Sequence, residues 1–473
     1  MISMRRTKLV CTIGPACDSE DMLRELIGAG LNVARINFSH GDTAYHRRII
    51  RRIKRLREDL GVPLAILQDL QGPKIRVGLI EPRPVWLERG AAFVLSSTPR
   101  IGDFRRASVS LPTFHEHVAP GQLVLLADGL IELVVETVAP PEVTCRVVVP
   151  GTLSSHKGVN IPGTEIGVKS LSDKDRLDLE VGFEEGVDAI ALSFVRTADD
   201  VHTLRRTIRE VGGADTRIIA KIEKPQAVDN IGEILDASDG VMIARGDLGL
   251  EIDLARVPLI QKKIIRIANG LGKPVITATQ MLVRMVDNPR PTRAEAADVA
   301  NAILDGTDAV MLSEETAAGN YPLEAARMMD RIAREVETEL DEGKFRWDFS
   351  SEANVSDAIT RSGFNVARGT RAAAIITPTW SGSTARLVAR FRPRQPIVAT
   401  TPNPATFHFL ALCWGVEPLS IPSAETIDEQ LRQSVAAARA AGWARENDLV
   451  VLTGGTPLHV PGTTNFIKVE RVT

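Results

Sequence analysis

Arg217-Ile218-Ile219-Ala220-Lys221-Ile222-Glu223-Lys224, followed after a gap by Gly240-Val241-Met242-Ile243-Ala244-Arg245-Gly246-Asp247, is the stretch on which the fold of this chain turns. Each half is a short apolar run that ends in charged residues. The segment between them has helical periodicity, which is the pattern of parallel strands joined by crossover helices. The alternation continues outward in both directions. Similar runs stand at Lys8 to Ile13, Asn32 to Ile36, Leu64 to Leu67, Ala189 to Ser193, Pro274 to Ala278 and Asp308 to Leu312. With the two quoted halves that makes eight, the number that closes a TIM (β/α)8 barrel, so the expected class is α/β.

The regular spacing fails once, between the third and fourth runs, where roughly a hundred residues intervene and no βα unit needs so many. An inserted domain explains the gap. Inside it Leu123 to Leu126, the Asp128-Gly129 turn and Ile131 to Val135 read as a hairpin, because an Asp-Gly pair supports the positive φ angles of a tight turn. The insert is therefore expected to be a β-rich lid. Taking it as residues 73–169 leaves a barrel of residues 1–72 and 170–346, close to the typical size of about 250 residues. After Phe345-Arg346-Trp347 comes a polar stretch, Ser350 to Ser356, and then alternation resumes. A helix near Asp357 to Ala367 and strands at Ala372 to Ile376, Ile397 to Thr400 and Leu449 to Leu452 make residues 347–473 a separate C-terminal α/β domain. Thr426 with Glu429 predicts a capping box that opens a helix ending at Gly442.

Composition bounds the function. Of 473 residues 44% are hydrophobic and 25% charged, the profile of an ordinary soluble globular protein. Lysine and arginine (57) nearly balance aspartate and glutamate (60), so no global field exists to hold nucleic acid or anionic lipid, and neither is expected as a partner. Cys11, Cys17, Cys145 and Cys413 show neither metal-ligand nor disulfide-framework spacing, which fits reduced thiols and a cytoplasmic location. There is no apolar stretch of signal-peptide length and no run of eighteen apolar residues, so neither secretion nor a membrane span is expected.

Active sites of such barrels lie at the carboxyl ends of the strands. There the second run leads to Arg35, Asn37, Ser39 and His40, the third to Asp69 and Lys74, and the fifth to Lys221 and Glu223. The sixth leads to Arg245, Gly246 and Asp247, the seventh to Thr279 and Gln280, and the eighth to Ser313, Glu314 and Glu315. Glu223 and Asp247 end adjacent strands, and two carboxylates are what Mg²⁺ or Mn²⁺ usually takes from a protein. Lys221 and Arg35 add fixed positive charge. The set points to metal-dependent chemistry on a phosphorylated or carboxylated small molecule. Each motif alone has a plainer reading: Lys221-Ile222-Glu223 as a surface ion pair, Arg245-Gly246-Asp247 as a turn, Thr279 as a helix cap. Their joint placement at strand ends favours the chemical reading. The basic run Arg47 to Arg57 carries an apolar stripe of Ile49, Ile50, Ile53 and Leu56, and so reads as an outer barrel helix with solvated arginines.

The chain also resembles the pyruvate kinase family along nearly its whole length. The resemblance rests on Cys11-Thr12-Ile13-Gly14-Pro15, Ala34-Arg35-Ile36-Asn37-Phe38-Ser39-His40-Gly41, Lys221-Ile222-Glu223-Lys224, Ala244-Arg245-Gly246-Asp247-Leu248-Gly249, Ala278-Thr279-Gln280-Met281-Leu282 and Arg290-Pro291-Thr292-Arg293-Ala294-Glu295. It implies phosphoryl transfer from phosphoenolpyruvate to ADP, giving pyruvate and ATP, on a barrel with a lid and an effector domain. By resemblance Glu223 and Asp247 ligate the divalent metal, and Lys221 stabilises the phosphoryl group in flight. Arg35 contacts that group, Thr279 takes part in protonating the enolate, and Ala244, Arg245 and Gly246 line the phosphoenolpyruvate pocket. Asn37, His40, Arg76 and Lys157 are implied on the nucleotide phosphates, and a homotetramer is implied as the assembly.

Departures from the family pattern carry information. Relatives that bind potassium do so through counterparts of Asn37, Ser39, Asp69, a threonine and a glutamate. Here Leu70 stands at the threonine position and Lys74 at the glutamate position, so the Lys74 ammonium is expected to supply the charge and potassium is not expected to be required. Glu314 replaces a small residue, with no functional account from sequence. In the C-terminal domain Thr379-Trp380-Ser381-Gly382-Ser383-Thr384 joins a strand to a helix, and its hydroxyls and backbone amides suit a phosphate. The family uses this loop for sugar-phosphate effectors, so Thr379, Ser381, Gly382, Ser383 and Thr384 are expected to hold a sugar-phosphate or nucleotide effector, with a plain helix cap as the alternative. Trp380 replaces a basic residue of some relatives. Two other readings stand beside the kinase: a metal-dependent lyase acting on an enolate, against which the lid and Lys157 argue, and a silent regulator, against which Lys221, Glu223, Asp247 and Thr279 argue.

Overall fold

The computed structural model describes residues 5–81, 84–164, 167, 170–213, 216–340 and 354–473. The boundary drawn at residues 346/347, the start of the polar stretch after it, and Lys169 at the end of the insert lie outside the described residues.

Eight parallel strands close into a barrel in sequential order: Lys8–Ile13, Leu31–Asn37, Ala65–Asp69, Ala189–Leu192, Arg217–Ile222, Gly240–Ala244, Val275–Ala278 and Ala309–Leu312. These are the eight apolar runs of the sequence, shifted at most by a residue or two at their ends. Most are buried along their whole length, as a strand must be when side chains fill one face and helices cover the other. The basic run lies on helix Thr43–Leu60, which buries Ile49, Ile50, Ile53 and Leu56 and turns Arg48, Arg51 and Arg55 to solvent, whereas Arg57 is buried on Asp188 and is not the solvated arginine expected. Asp42 caps its start, and Gly61, at φ 62°, ends it in the left-handed conformation that glycine adopts without strain.

The insert after the third strand is β-rich. It forms a six-stranded sheet and a two-stranded one, and its hairpin pairs Leu123–Leu126 with Ile131–Ala139 across the Asp128-Gly129 turn. It has its own core, centred on Phe93, Phe114, Leu126 and Leu133. The C-terminal domain is a five-stranded sheet flanked by helices Val355–Thr370, Ser383–Ala389 and Ile427–Ala440. Two of its strands, Val416–Ser420 and Thr464–Arg471, have no counterpart in the sequence reading; both are edge strands. Pro418 interrupts the first pattern, and an edge position is where a strand tolerates proline. The second is mostly exposed and polar, so it gives no apolar run. The capping box at Thr426 is corrected to half a box. The Thr426 hydroxyl accepts from Glu429 N–H at 3.3 Å, but Glu429 Oε2 reaches one residue too far back and accepts from Glu425 N–H at 3.1 Å.

The C-terminal domain packs against the amino ends of the barrel strands, opposite the expected site. Phe409, Ala411 and Leu412 join Val10, Leu67, Ile219, Met242 and Met311 in one apolar cluster inside the barrel floor. Buried Arg392 ties the two bodies together. It donates to Asp308 Oδ1 at 3.0 Å and Asn269 Oδ1 at 3.1 Å, and it lies over the Trp414 ring. No described helix is long and apolar enough to cross a membrane.

Candidate active site

Asp69, at the end of the third strand, organises the barrel mouth. Its Oδ2 accepts from Arg35 Nε at 2.7 Å and its Oδ1 lies 3.2 Å from Lys221 Nζ. Arg35 also donates to Thr12 Oγ1 at 2.8 Å. Lys221 donates to Ser193 Oγ at 2.7 Å and pairs with Glu223 Oε1 at 2.9 Å, and Ser193 in turn donates to the Leu70 carbonyl. All of these side chains except that of Leu70 are polar and buried, so the network survives only because nearly every group has a partner.

The electrostatics follow from those distances. Burial works against the charge on Lys221, but Asp69 and Glu223 outweigh it and raise its pKa, keeping the ammonium protonated. Burial likewise works against an ionised Asp69, yet Lys221 and then Arg35 hold its carboxyl below the usual range. Glu223 shifts upward, because burial, reinforced by the nearby Asp247 charge, exceeds the help from Lys221 and from the Phe194 N–H at 2.8 Å. Phe194 reaches Glu223 from a left-handed backbone, φ 57°, which for a bulky residue is strain held by its surroundings.

Helix Arg245–Glu251 begins where the sixth strand ends and presents Asp247 in its first turn. Lys74 Nζ lies 3.4 Å from Asp247 Oδ1 and 3.7 Å from Asp128 Oδ1 of the insert. Glu223 and Asp247 suit a hard divalent cation: they are oxygen donors at the ends of adjacent strands, one on each. No group of three or more His, Cys, Asp or Glu is arranged for a metal among the described residues.

Thr279, half-buried, has φ 70° and Gln280 follows at φ 55°. Two consecutive left-handed residues, the first β-branched, are strained in a way that marks functional loops. The Thr279 hydroxyl accepts from Gly246 N–H at 2.7 Å and donates to the Ala278 carbonyl at 2.6 Å. The Arg245 guanidinium turns to Asp298 at 2.7 Å and to the Thr279 carbonyl at 2.9 Å, so it fastens this loop to its neighbour.

His40 is exposed. Burial of part of its ring, then the charges of Arg76, Arg35 and Lys74, lower its pKa against the opposing charge of Glu314. Arg76 pairs antiparallel with Gly158 on the insert, and Lys157, the next residue back, accepts through its carbonyl from Val77 N–H at 2.8 Å. Asn37 Oδ1 accepts from Ser39 N–H, and Leu70 is buried. Sequence reasoning missed Thr12 and Ser193; Ser193 ends an apolar run and Thr12 is the one hydroxyl in another, one residue before its end, which is the signal that could have found them.

In the C-terminal domain Thr379, Trp380, Ser381, Ser383 and Thr384 line a narrow cleft whose far wall is the loop around His459. Gly382, at φ 80°, donates its N–H to Thr379 Oγ1, and Thr384 bonds Thr464 across the cleft at 2.7 Å. Trp380 meets the His459 ring edge-on at 4.7 Å. The Ser381 carbonyl accepts from Arg217, the first residue of the strand that ends at Ile222, just past Lys221.

The family model "Pyruvate kinase, barrel domain" matches residues 4–326, and "Pyruvate kinase, alpha/beta domain" matches residues 357–470. A protein of Clostridium acetobutylicum named pyruvate kinase is 44% identical over 472 residues, covering 99% of this chain and all of the relative. One of Geobacillus stearothermophilus with the same name is 47% identical, covering 99% of this chain and 80% of the relative. A third, from Clostridium perfringens and also named pyruvate kinase, is 42% identical over 474 residues.

Proposed function

The chain belongs to the pyruvate kinase family, and from that premise we propose that it transfers the phosphoryl group of phosphoenolpyruvate to ADP, yielding pyruvate and ATP in glycolysis, with Mg²⁺ or Mn²⁺ at Glu223 and Asp247. The observation that carries the reading is the Asp69 clamp, which holds the cations Lys221 and Arg35 in fixed positions beside the carboxylate pair. Phosphoryl transfer asks for little covalent help from a protein. It needs positive charge fixed in advance around the oxygens of the group in flight. Lys221 and Arg35 supply it without reorganising, since their partners already hold them. Glu223 and Asp247 would hold the divalent ion, whose positive charge would offset the charge that develops on the group in flight.

Ala244, Arg245 and Gly246 line the phosphoenolpyruvate pocket, with Arg245 acting as a fastener for the Thr279 loop. Thr279 holds a proton within reach of the enolate carbon. Asn37, His40, Arg76 and Lys157 meet the nucleotide phosphates, the last two carried by the lid, taken as residues 73–169, whose closure excludes water.

Potassium is not required in this reading. Leu70 offers no side-chain oxygen, both oxygens of Asp69 are engaged by cations, and the Lys74 ammonium adds a fixed charge at the mouth. The cleft at Thr379, Ser381, Gly382, Ser383 and Thr384 takes a sugar-phosphate or nucleotide effector. The homotetramer is carried over from the family, and the cytoplasmic location from the cysteine pattern. The test is a coupled assay for pyruvate from phosphoenolpyruvate and ADP with Mg²⁺, beside Lys221→Met. Activity that needs ADP and is lost with Lys221 supports the assignment; no pyruvate, even with sugar phosphates added, refutes it.

A further inference from the structure

Helix Arg245–Glu251 opens on a residue of the site, Asp247, and closes on Glu251, whose buried carboxylate has no part in the chemistry above. Glu251 Oε1 accepts from two sides: from Lys224 Nζ of the barrel at 2.7 Å and from Asn160 Nδ2 of the lid at 3.2 Å. Asn160 is itself buried, and its Oδ1 has no partner among the described residues. A buried amide with half its capacity unmet costs stability, and a leucine there would pack without that cost. Its one satisfied bond, to a charged acceptor in the other body, is therefore the feature that distinguishes it.

The lid touches the same helix twice more. Lys74 lies between Asp247 and Asp128, and the lid's Asp128-Gly129 turn sits so close that a Cβ on Gly129 would come within 2.8 Å of Leu250 Cδ2. The lid thus seats along the helix from its first turn to its last residue. Lys157, Gly158, Val159 and Asn160 are consecutive, and in an extended chain Lys157 lies about 10 Å from the Asn160 anchor.

We propose that Glu251 is a positioning residue: through Asn160 it fixes the lid in the pose that brings Arg76 and Lys157 to the nucleotide. Glu251 touches no reacting atom. The inference rests on the nucleotide role given to Arg76 and Lys157 above.

Glu251→Gln, Asn160→Ala and the isosteric Asn160→Asp test it, by steady-state kinetics with each substrate varied and by calorimetric binding of ADP. Glu251→Gln and Asn160→Ala should each raise KM and Kd for ADP about tenfold, with KM for phosphoenolpyruvate changed less than twofold. Asn160→Asp should exceed Asn160→Ala by setting two carboxylates against each other. The Glu251→Gln, Asn160→Ala pair should cost less on ADP than the sum of the two single changes, because both act on the one Asn160–Glu251 contact. Asn160→Ala removes only lid-side atoms, so it carries the test if the position 251 variant folds poorly. Unchanged ADP parameters, or equal rises for both substrates that track a fall in Tm, overturn the proposal. A wild-type enzyme that makes no pyruvate from phosphoenolpyruvate and ADP overturns the functional reading instead.

Discussion

Asp69 stands between Lys221, at 3.2 Å from one oxygen, and Arg35, at 2.7 Å from the other, so one buried carboxylate sets the separation of two cations. Asp69→Asn keeps the shape and removes the charge. The expected result is a fall in kcat of about 10²-fold with a loss of ~3 kcal/mol in stability. Kinetics and urea unfolding measure the two effects separately, and an unchanged kcat would show that the clamp does not pre-position charge for the reaction.

Thr279 combines a strained backbone with a hydroxyl that joins Gly246 to Ala278. Thr279→Ser keeps the hydroxyl and should retain most activity. Thr279→Ala should lower kcat about 10²-fold with a smaller change in KM. Equal activity of the alanine and serine variants would remove Thr279 from proton transfer.

Reaction rates in potassium chloride and in tetramethylammonium chloride at equal ionic strength should agree. A large activation by potassium would sink the role given to Lys74 while leaving the kinase assignment in place.

Asp239 sits between the fifth and sixth strands, 3.0 Å from Arg205 and 3.3 Å from Arg217. Burial opposes its charge, but Arg205, the Ile218 N–H and Arg217 outweigh burial and lower its pKa. A lowered carboxylate pKa contributes stability that is present above the unfolded value, about 3.9, and is lost as pH falls through the folded value. Asp239→Asn should therefore be less stable than wild type at pH 7, and the gap should shrink at pH 3. Urea unfolding at both values reads the difference, and a gap that is constant with pH would exclude charge as its cause.

What the sequence made legible was whatever repeats along one strand. Buried runs such as Gly240 to Ala244 announce themselves because every position is apolar, and the residues just past them fall at the barrel mouth by geometry. The edge strand with Pro418 and the polar strand Thr464–Arg471 lack that signature. The Asn160–Glu251 contact was equally silent, since an asparagine and a glutamate far apart in sequence have no pattern to share. The Arg245 side chain shows the same limit, because its position predicts the mouth while its direction depends on Asp298.

Phe409, Ala411 and Leu412 stopper the barrel floor from another domain, and this has a consequence for how the molecule comes into being. A chain leaving the ribosome has made all eight barrel strands by Leu312, but the interior it encloses still opens at its base onto water. The stopper is translated about a hundred residues later, several seconds at ordinary elongation rates. Until then the nascent barrel is an unfinished vessel, and a gene truncated after residue 340 would encode one that never acquires its base.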